Sequence, residues 1–536
     1  MISYKFNLSP DPTRPATLEN LLFTAIVSVL IAFVFCTKPF LKIPYDMWDH
    51  MIRIVSLHDE GKCFLFYPEQ LRTRFVWHSI WATVFKTGQI QDFFLRTRII
   101  HISQFLLAVL SVYFYSTISL RVLFPSVRLN HIKYLALIAV ISWTIGNGTF
   151  SEQYQQAWIM WYSLTPQGLT IPIFWIITAI TIRNLYEPIT KKLYILNIII
   201  IGIGCVLIAK IHPMELIYYA LHIALFLSFT WTTIPSQTRK QLKIIIPVGV
   251  VIFFLFAFLM DENVYIFSIF RQGGPRGIYL EMRKVGYLLV VERLNRFPNS
   301  YSEIAVSALI LGIIFRIWSI FKIKEITFNR KYFDYVLSIS VLFFLVGTTK
   351  FFGSLFALIT NYPTIFRYFF AAPWFLVLPF VAYMVCIHIS PNQLLLTKAI
   401  TISITIIGII VLSSKIFLSH AVYENVRSIV SAVHEERPFQ FTREEISTLG
   451  QIVFSRDIKY DKPNMFYLRG DLAYLVRAVF GKYVFMERFY TPPREAFLDH
   501  SIREKYHFVE LDCDDQFRKD AEVFKSYDFR RKSSMH

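Results

Sequence analysis

Long apolar stretches alternate with short basic connections between about residue 18 and residue 418, and this alternation constrains the fold more than any other feature. A membrane-spanning helix needs about 20 apolar residues. Apolar residues make up 55% of the chain and charged residues only 17%, more apolar surface than a soluble protein can bury. We therefore predict an all-α polytopic membrane protein with about eleven transmembrane helices. The stretches lie at 18–37, 99–120, 132–147, 168–184, 193–210, 214–234, 244–260, 302–321, 333–349, 367–388 and 399–418.

The basic residues of the short connections predict the orientation of the chain. Cytoplasmic connections are enriched in Lys and Arg. One alternating set of connections carries most of these side chains, near Arg121, Arg183, Arg239 and Lys322. Placing this set in the cytoplasm puts the N-terminus inside and the C-terminus outside. The long segments 38–98 and 261–301 then face the outer compartment, as expected for a multi-pass protein of a plasma or bacterial inner membrane.

The C-terminal part differs in composition from the rest. From Glu424 onward basic and acidic residues are equal in number, so the preceding residues hold the whole net charge of +18. We predict a transmembrane module at 1–418, with a long first outer loop at 38–98, and a small extracytoplasmic α/β domain at 419–536. The expected elements of this domain are a helix opened by the capping box Thr442–Glu445, a helix at 470–480, a strand at 483–490, a helix that starts at Pro492–Pro493, a strand at 508–511 and a helix at 514–526.

The segment that follows the first span carries a concentration of ionisable side chains. In the sequence Pro-Tyr-Asp-Met-Trp-Asp-His-Met-Ile-Arg, Asp46, Asp49, His50 and Arg53 fall at i, i+3, i+4 and i+7. In a helix these positions share one face. A carboxylate there can act as a general base toward a hydroxyl. The same pattern also suits an interfacial amphipathic helix whose charges are simply solvated.

The chain resembles the C-type (GT-C) glycosyltransferases in its arrangement of an inside N-terminus, one span, a long first outer loop with Asp46 and Asp49, many further spans and a small outer C-terminal domain. The resemblance implies an acidic catalytic base in the first outer loop, either Asp46 or Asp49, and a sugar donor linked to polyprenyl phosphate. The tail lacks a WWDYG-like motif, which argues against the oligosaccharyltransferase branch.

Two further groups of residues are candidates for binding a sugar or a phosphate. Lys210, His212 and Glu215 cluster at a short outer connection, where Pro213 starts the next helix and places Glu215 in its first turn. Their alternative role is a polar hinge between two spans. Gln167 belongs to an aromatic and amide-rich stretch that suits stacking on a sugar, although an interfacial belt is the favoured interpretation.

Three arginines at the outer side are candidates for binding phosphate. Arg271 and Arg276 flank a glycine-rich loop at 270–277, where close backbone approach and paired hydrogen bonds favour an anion. A plain turn is the alternative interpretation of this loop. Arg367 opens the tenth span from outside, and the resemblance implies a donor phosphate as its partner, whereas snorkelling to headgroups is the alternative.

The partners expected from these features are a polyprenyl-phosphate sugar donor, a glycan or lipid acceptor and membrane lipids, without nucleic acid. His50, His58, Asp49 and Asp59 have the chemistry of divalent-cation ligands, but no spacing requires a metal, and we expect no cofactor. A transporter would keep charged residues near the middle of its spans, where this chain has essentially none. A polymerase or ligase acting on lipid-linked sugars remains an alternative.

Overall fold

The computed structural model describes the membrane helices, part of the first long loop and part of the C-terminal region. The described residues are 50–57 except 52 and 56, 75–89, 93–127, 129–147, 165–187, 190–243 except 237 and 241, 265–288, 303–322, 328–360, 362–389, 443–457, 464–468, 476, 479, 480, 483–486, 507–512 and 525–528. Spans predicted at 18–37, 244–260 and 399–418 lie outside these residues.

The described part is mostly helical, with one small sheet. Its α-helices are α1 Phe75–Thr87, α2 Phe93–Leu123, α3 Leu129–Asn147, α4 Gln167–Tyr186, α5 Lys191–Ile211, α6 Met214–Thr230, α7 Tyr265–Leu288, α8 Glu303–Lys322, α9 Arg330–Thr348, α10 Lys350–Thr360, α11 Val377–Ile389 and α12 Arg443–Arg456. Two 3₁₀ segments, Tyr362–Ala371 and Trp374–Leu376, lie between α10 and α11.

Four of these helices, α2, α4, α5 and α9, are long and apolar enough to cross a membrane, within the residues that the structure describes. Large apolar side chains remain exposed along α5 and α8, among them Ile203, Val206, Ile314 and Ile317. Water would disfavour such surfaces, whereas lipid tails accept them. The chain is therefore a multi-pass membrane protein.

Sequence chemistry explains where the membrane helices begin and end. The Thr190 side chain accepts a hydrogen bond from Leu193 N and caps α5 at its start. His212 leaves the helical conformation at its end, and Pro213 begins α6. The close approach of α5 to α4 depends on Gly204, where an added Cβ would lie 2.5 Å from Ile177 Cγ2.

One end of the bundle is held together by ion pairs and hydrogen bonds. Glu187 bonds to Arg183 at 2.9 Å and to Arg121 at 3.1 Å, which joins α4 to α2. Arg316 of α8 pairs with Asp334 of α9 through two guanidinium nitrogens. Arg121 and Arg183 belong to the connections that the sequence predicts to be cytoplasmic, and Glu187 matches their charges within the protein.

The structure corrects two local predictions. The predicted glycine-rich loop at 270–277 is part of α7, which kinks at Gly274, where φ is +56°. Pro275 follows, and its fixed φ and missing N–H allow a helix to restart after the kink. The tenth predicted span, 367–388, is α-helical only from Val377, because Pro373 separates two 3₁₀ segments before it.

The C-terminal region contains α12 and a four-stranded sheet. Its strands, β1 Asn464–Leu468, β2 Tyr483–Met486, β3 His507–Asp512 and β4 Lys525–Asp528, are ordered β2-β1-β3-β4. β1 pairs in parallel with β2 and β3, and β4 runs antiparallel to β3. Strands occur where the sequence predicts them near 483 and 508, but β4 replaces the end of the helix predicted at 514–526. Residues 525–528, Lys-Ser-Tyr-Asp, form the edge strand of the sheet. Their pairing with β3 is a tertiary contact, which local β-propensity does not predict.

Candidate active site

The described residues 50–57, which follow the first predicted span, pack through His50 onto α1. Residues 50–57 are helical where described. His50 Nδ1 lies 2.9 Å from His78 Nε2, a hydrogen bond in which one ring carries the shared proton. The His50 ring also meets Trp77 edge-on, with centroids 5.6 Å apart. Arg53, one turn farther along, is half-buried.

The first long loop is tied in turn to the membrane bundle. Trp77 Nε1 donates to Gln104 Oε1 of α2 over 2.9 Å, and both side chains are buried. A buried polar pair of this kind holds a single arrangement, because either partner alone would be left unsatisfied. The contacts from Gln104 to Trp77 and from Trp77 to His50 thereby hold the helical residues 50–57 against the bundle.

A second polar cluster lies where α4, α5 and α6 meet. The Glu215 carboxylate has no exposed surface. Its Oε1 accepts from Gln167 Nε2 at 2.9 Å, and its Oε2 lies 2.6 Å from His212 Nδ1. Glu215 is in the first turn of α6, where the helix dipole favours negative charge. The structure thus joins two residues that the sequence analysis proposed together and adds Gln167 to them.

Three buried side chains with polar groups lie along one face of α6. Glu215, Tyr218 and His222 fall at i, i+3 and i+7, and none has exposed surface. Tyr218 packs on Tyr368 of the 3₁₀ segment, with ring centroids 4.8 Å apart. His222 Nε2 lies 2.8 Å from the Ala371 carbonyl at the end of the same segment. This face of α6 therefore joins the Glu215 cluster to the segment that contains Arg367.

Arg367 is half-buried on that 3₁₀ segment. Its neighbour Tyr368 is enclosed by aromatic rings from three helices, at 4.8 Å from Tyr218, 5.5 Å from Phe343 and 5.1 Å from Phe356. The backbone beside Arg367 is consequently well packed, which restricts the directions that the guanidinium can take.

The remaining predicted site residues are either exposed or outside the described part of the chain. Lys210 is exposed in the last turn of α5, and Arg276 is exposed on α7, which packs against α10. Arg271 lies on α7, but its side chain is outside the described part. Asp46 and Asp49 also lie outside the described residues, as do the possible metal ligands His58 and Asp59. Among the residues described, no group of three or more His, Cys, Asp or Glu side chains is arranged to hold a metal ion.

Sequence analysis did not single out His78, Gln104 or His222. His222 carried a signal, because an ionisable residue within an apolar span is by default a functional candidate. His78 carried a weaker signal through Trp77 and Trp81, which mark a buried helix face in an otherwise polar loop. Gln104 in α2 offered no comparable signal.

The fold matches that of a protein of known structure. The structure resembles the crystal structure of ArnT from Cupriavidus metallidurans bound to undecaprenyl phosphate, with a TM-score of 0.52, 9% sequence identity and coverage of 96% of each chain. The apo state of the same protein gives a TM-score of 0.50 at 9% identity over 94% of each chain. This chain has the GT-C fold.

The structural comparison confirms the fold that the sequence resemblance implied. No family model matches the chain, and no curated protein matches it by sequence. The oligosaccharyltransferase of Archaeoglobus fulgidus, in complex with Zn and sulfate, also aligns, with a TM-score of 0.46 and 11% identity over 91% of this chain and 68% of that one.

Proposed function

We propose that this protein is an inverting membrane glycosyltransferase that moves a hexosyl or pentosyl group from a polyprenyl phosphate or pyrophosphate donor to a glycan or lipid-linked acceptor. The observation that carries the proposal is the end-to-end structural similarity to ArnT, whose structure holds undecaprenyl phosphate. The apolar exterior supports it, because a lipid-linked donor reaches its enzyme from the bilayer.

The proposed base is Asp46 or Asp49, which precede the helical residues 50–57 in the sequence. A carboxylate would take the proton of the acceptor hydroxyl as its oxygen forms a bond to the anomeric carbon. The bond between that carbon and the phosphate oxygen breaks at the same time, and the lipid phosphate leaves with the electron pair. A single displacement of this kind inverts the anomeric centre. The Trp77–Gln104 hydrogen bond and the contact of Trp77 with His50 support the proposal, because they anchor residues 50–57, which follow Asp46 and Asp49 in the sequence.

The developing charge on the leaving phosphate requires positive groups or hydrogen-bond donors nearby. We propose that these come from the first loop, from the α5–α6 connection, from α7 and from the 3₁₀ segment. The candidates are His50, Arg53, Lys210, His212, Arg271, Arg276 and Arg367, with Glu215 acting behind His212. Within the part of the chain that the structure describes, Lys210 and Arg276 make no ion pair with Asp or Glu, unlike the matched charges at the other end of the bundle.

The proposed reaction takes place at the outer face, with the N-terminus in the cytoplasm and residues 419–536 as an outer domain. The basic connections near Arg121, Arg183, Arg239 and Lys322 support this arrangement, because Lys and Arg are enriched in cytoplasmic connections.

The proposal is tested with the purified full-length protein and a panel of polyprenyl-phosphate sugars labelled in the sugar. Transfer predicts acceptor-dependent release of polyprenyl phosphate, and a product of inverted anomeric configuration. Translocation of the intact lipid-linked sugar across proteoliposomes without cleavage would overturn the proposal in favour of a transporter. A repeating polymer of the donor sugar would favour a polymerase.

A further inference from the structure

The Gln167–Glu215–His212 cluster combines a fully buried carboxylate with a partly accessible imidazole. Gln167 is 1% exposed and Glu215 has no exposed surface, whereas the His212 side chain is 12% exposed. Removing a carboxylate from water is unfavourable unless donors replace its hydration. Gln167 and His212 supply one such donor to each carboxylate oxygen.

This arrangement determines how the His212 ring is turned. A carboxylate oxygen only accepts, so the proton at the His212–Glu215 contact is on Nδ1. Nε2, on the opposite side of the ring, is then directed away from Glu215. The position of Glu215 is itself maintained by Gln167 and by the first turn of α6, so the ring has little freedom to rotate away.

The charge of the cluster indicates the kind of ligand that Nε2 would meet. A protonated His212 neutralises Glu215 and presents a second N–H outward, which suits an anionic oxygen. Lys210 is exposed two residues before, and the Arg367-containing segment packs on Tyr218, one turn beyond Glu215. The neighbouring positive charge of Lys210 favours a phosphate over a cation at this connection.

We propose that Glu215 and Gln167 are positioning residues, and that they hold His212 so that Nε2 donates to a phosphate oxygen of the lipid-linked donor. The proposal rests on the proposed glycosyl transfer. Neither Glu215 nor Gln167 touches the substrate in this arrangement; both act through the imidazole. The chemistry recognised is a phosphate attached to a membrane lipid, which either the donor or a bulk phospholipid headgroup can present.

The first experiment measures binding by the purified full-length protein in a neutral detergent. The thermal unfolding midpoint is followed while undecaprenyl phosphate, undecaprenol or phosphatidylglycerol is added. We expect a rise with undecaprenyl phosphate and none with the other two. H212Q and E215Q should each require about tenfold more undecaprenyl phosphate for half the rise, the loss of about one charge-assisted hydrogen bond. An equal rise with phosphatidylglycerol would overturn the donor assignment.

The second experiment distinguishes positioning from folding. In a transfer assay, H212Q and E215Q should raise the KM for the donor about tenfold with kcat within about twofold, and the double variant should be no worse than either single one. Q167M should give a smaller rise, of about threefold. E187Q, which removes a carboxylate paired with two arginines at the other end of the bundle, should leave KM unchanged.

The outcomes separate this proposal from the proposed function. If the protein transfers sugar and E215Q keeps the KM of the unaltered protein, Glu215 does not position His212 and the inference is wrong. Additive losses in the double variant would also contradict it, since they mean that the two residues act independently. If the unaltered protein transfers no sugar from any donor, the proposed function itself fails, whatever the variants bind.

Discussion

His222 and Ala371 are 149 positions apart in the sequence, yet the His222 imidazole donates from Nε2 to the Ala371 carbonyl over 2.8 Å inside the bundle. Because the carbonyl only accepts, Nδ1 is left as an acceptor and receives the Tyr335 hydroxyl at 2.7 Å. One neutral ring thus joins α6, α9 and the end of the 3₁₀ segment. That segment carries Arg367, so a buried hydrogen bond connects the membrane core to a proposed substrate contact.

Replacing His222 by Phe should destabilise the protein, because the Tyr335 hydroxyl and the Ala371 carbonyl would both lose their buried hydrogen bonds to the imidazole. The expected cost is about 1–3 kcal/mol. The check is the thermal unfolding midpoint in detergent, with Ser228→Ala as a matched control on the same helix. The exposed Ser228 hydroxyl bonds only to its own helix at Ala224, and its loss should change stability by less than about 0.5 kcal/mol. Equal midpoints for the two variants would contradict this role of His222.

Gly204 and Gly202 form a matched pair for testing the contact between α5 and α4. A Cβ at Gly204 would lie 2.5 Å from Ile177 Cγ2, whereas a Cβ at Gly202 meets nothing within 4 Å. Gly204→Ala should therefore cost about 1–3 kcal/mol through overpacking. Gly202→Ala should be neutral or stabilising, because alanine has the higher helix propensity. The unfolding midpoints of both variants measure the difference, and a Gly204→Ala protein as stable as Gly202→Ala would show that the helices do not approach so closely.

The proposed orientation is tested with reporters at the two ends of the bundle. Alkaline phosphatase fused after residue 420 should be active, because this enzyme matures only outside the cytoplasm. The same reporter fused after Lys240, in a basic connection, should be inactive. The opposite pattern would place the Glu215 cluster in the cytoplasm and would remove the outer-face reaction from the account.

The membrane helices could be predicted from the sequence because hydropathy and capping are local. The span predicted at 193–210 is α5, Lys191–Ile211, bounded by a capping Thr190 and by the His212–Pro213 break. The kink at Gly274 could not be predicted in the same way, because glycine permits both a turn and a kinked helix, and packing decides between them.

The candidate site was only partly predictable for a related reason. His212 and Glu215 are three residues apart, and local spacing was enough to propose them together. Gln167 is 48 positions from Glu215, and Gln104 is 27 positions from Trp77. Neither contact can therefore be predicted from a local sequence pattern. Long-range hydrogen bonds of this kind become visible only once the helices are packed.

The central claim is that an aspartate in the first outer loop removes the acceptor proton during sugar transfer. The most direct measurement is the rate of sugar transfer from a polyprenyl-phosphate donor by Asp46→Asn, Asp49→Asn and the unaltered protein, with E187Q as a control for loss of a carboxylate elsewhere. We predict that one of the two variants loses about 10²–10⁴-fold in kcat, the contribution of a general base, while its affinity for the donor is retained. Full activity in both variants would contradict the claim.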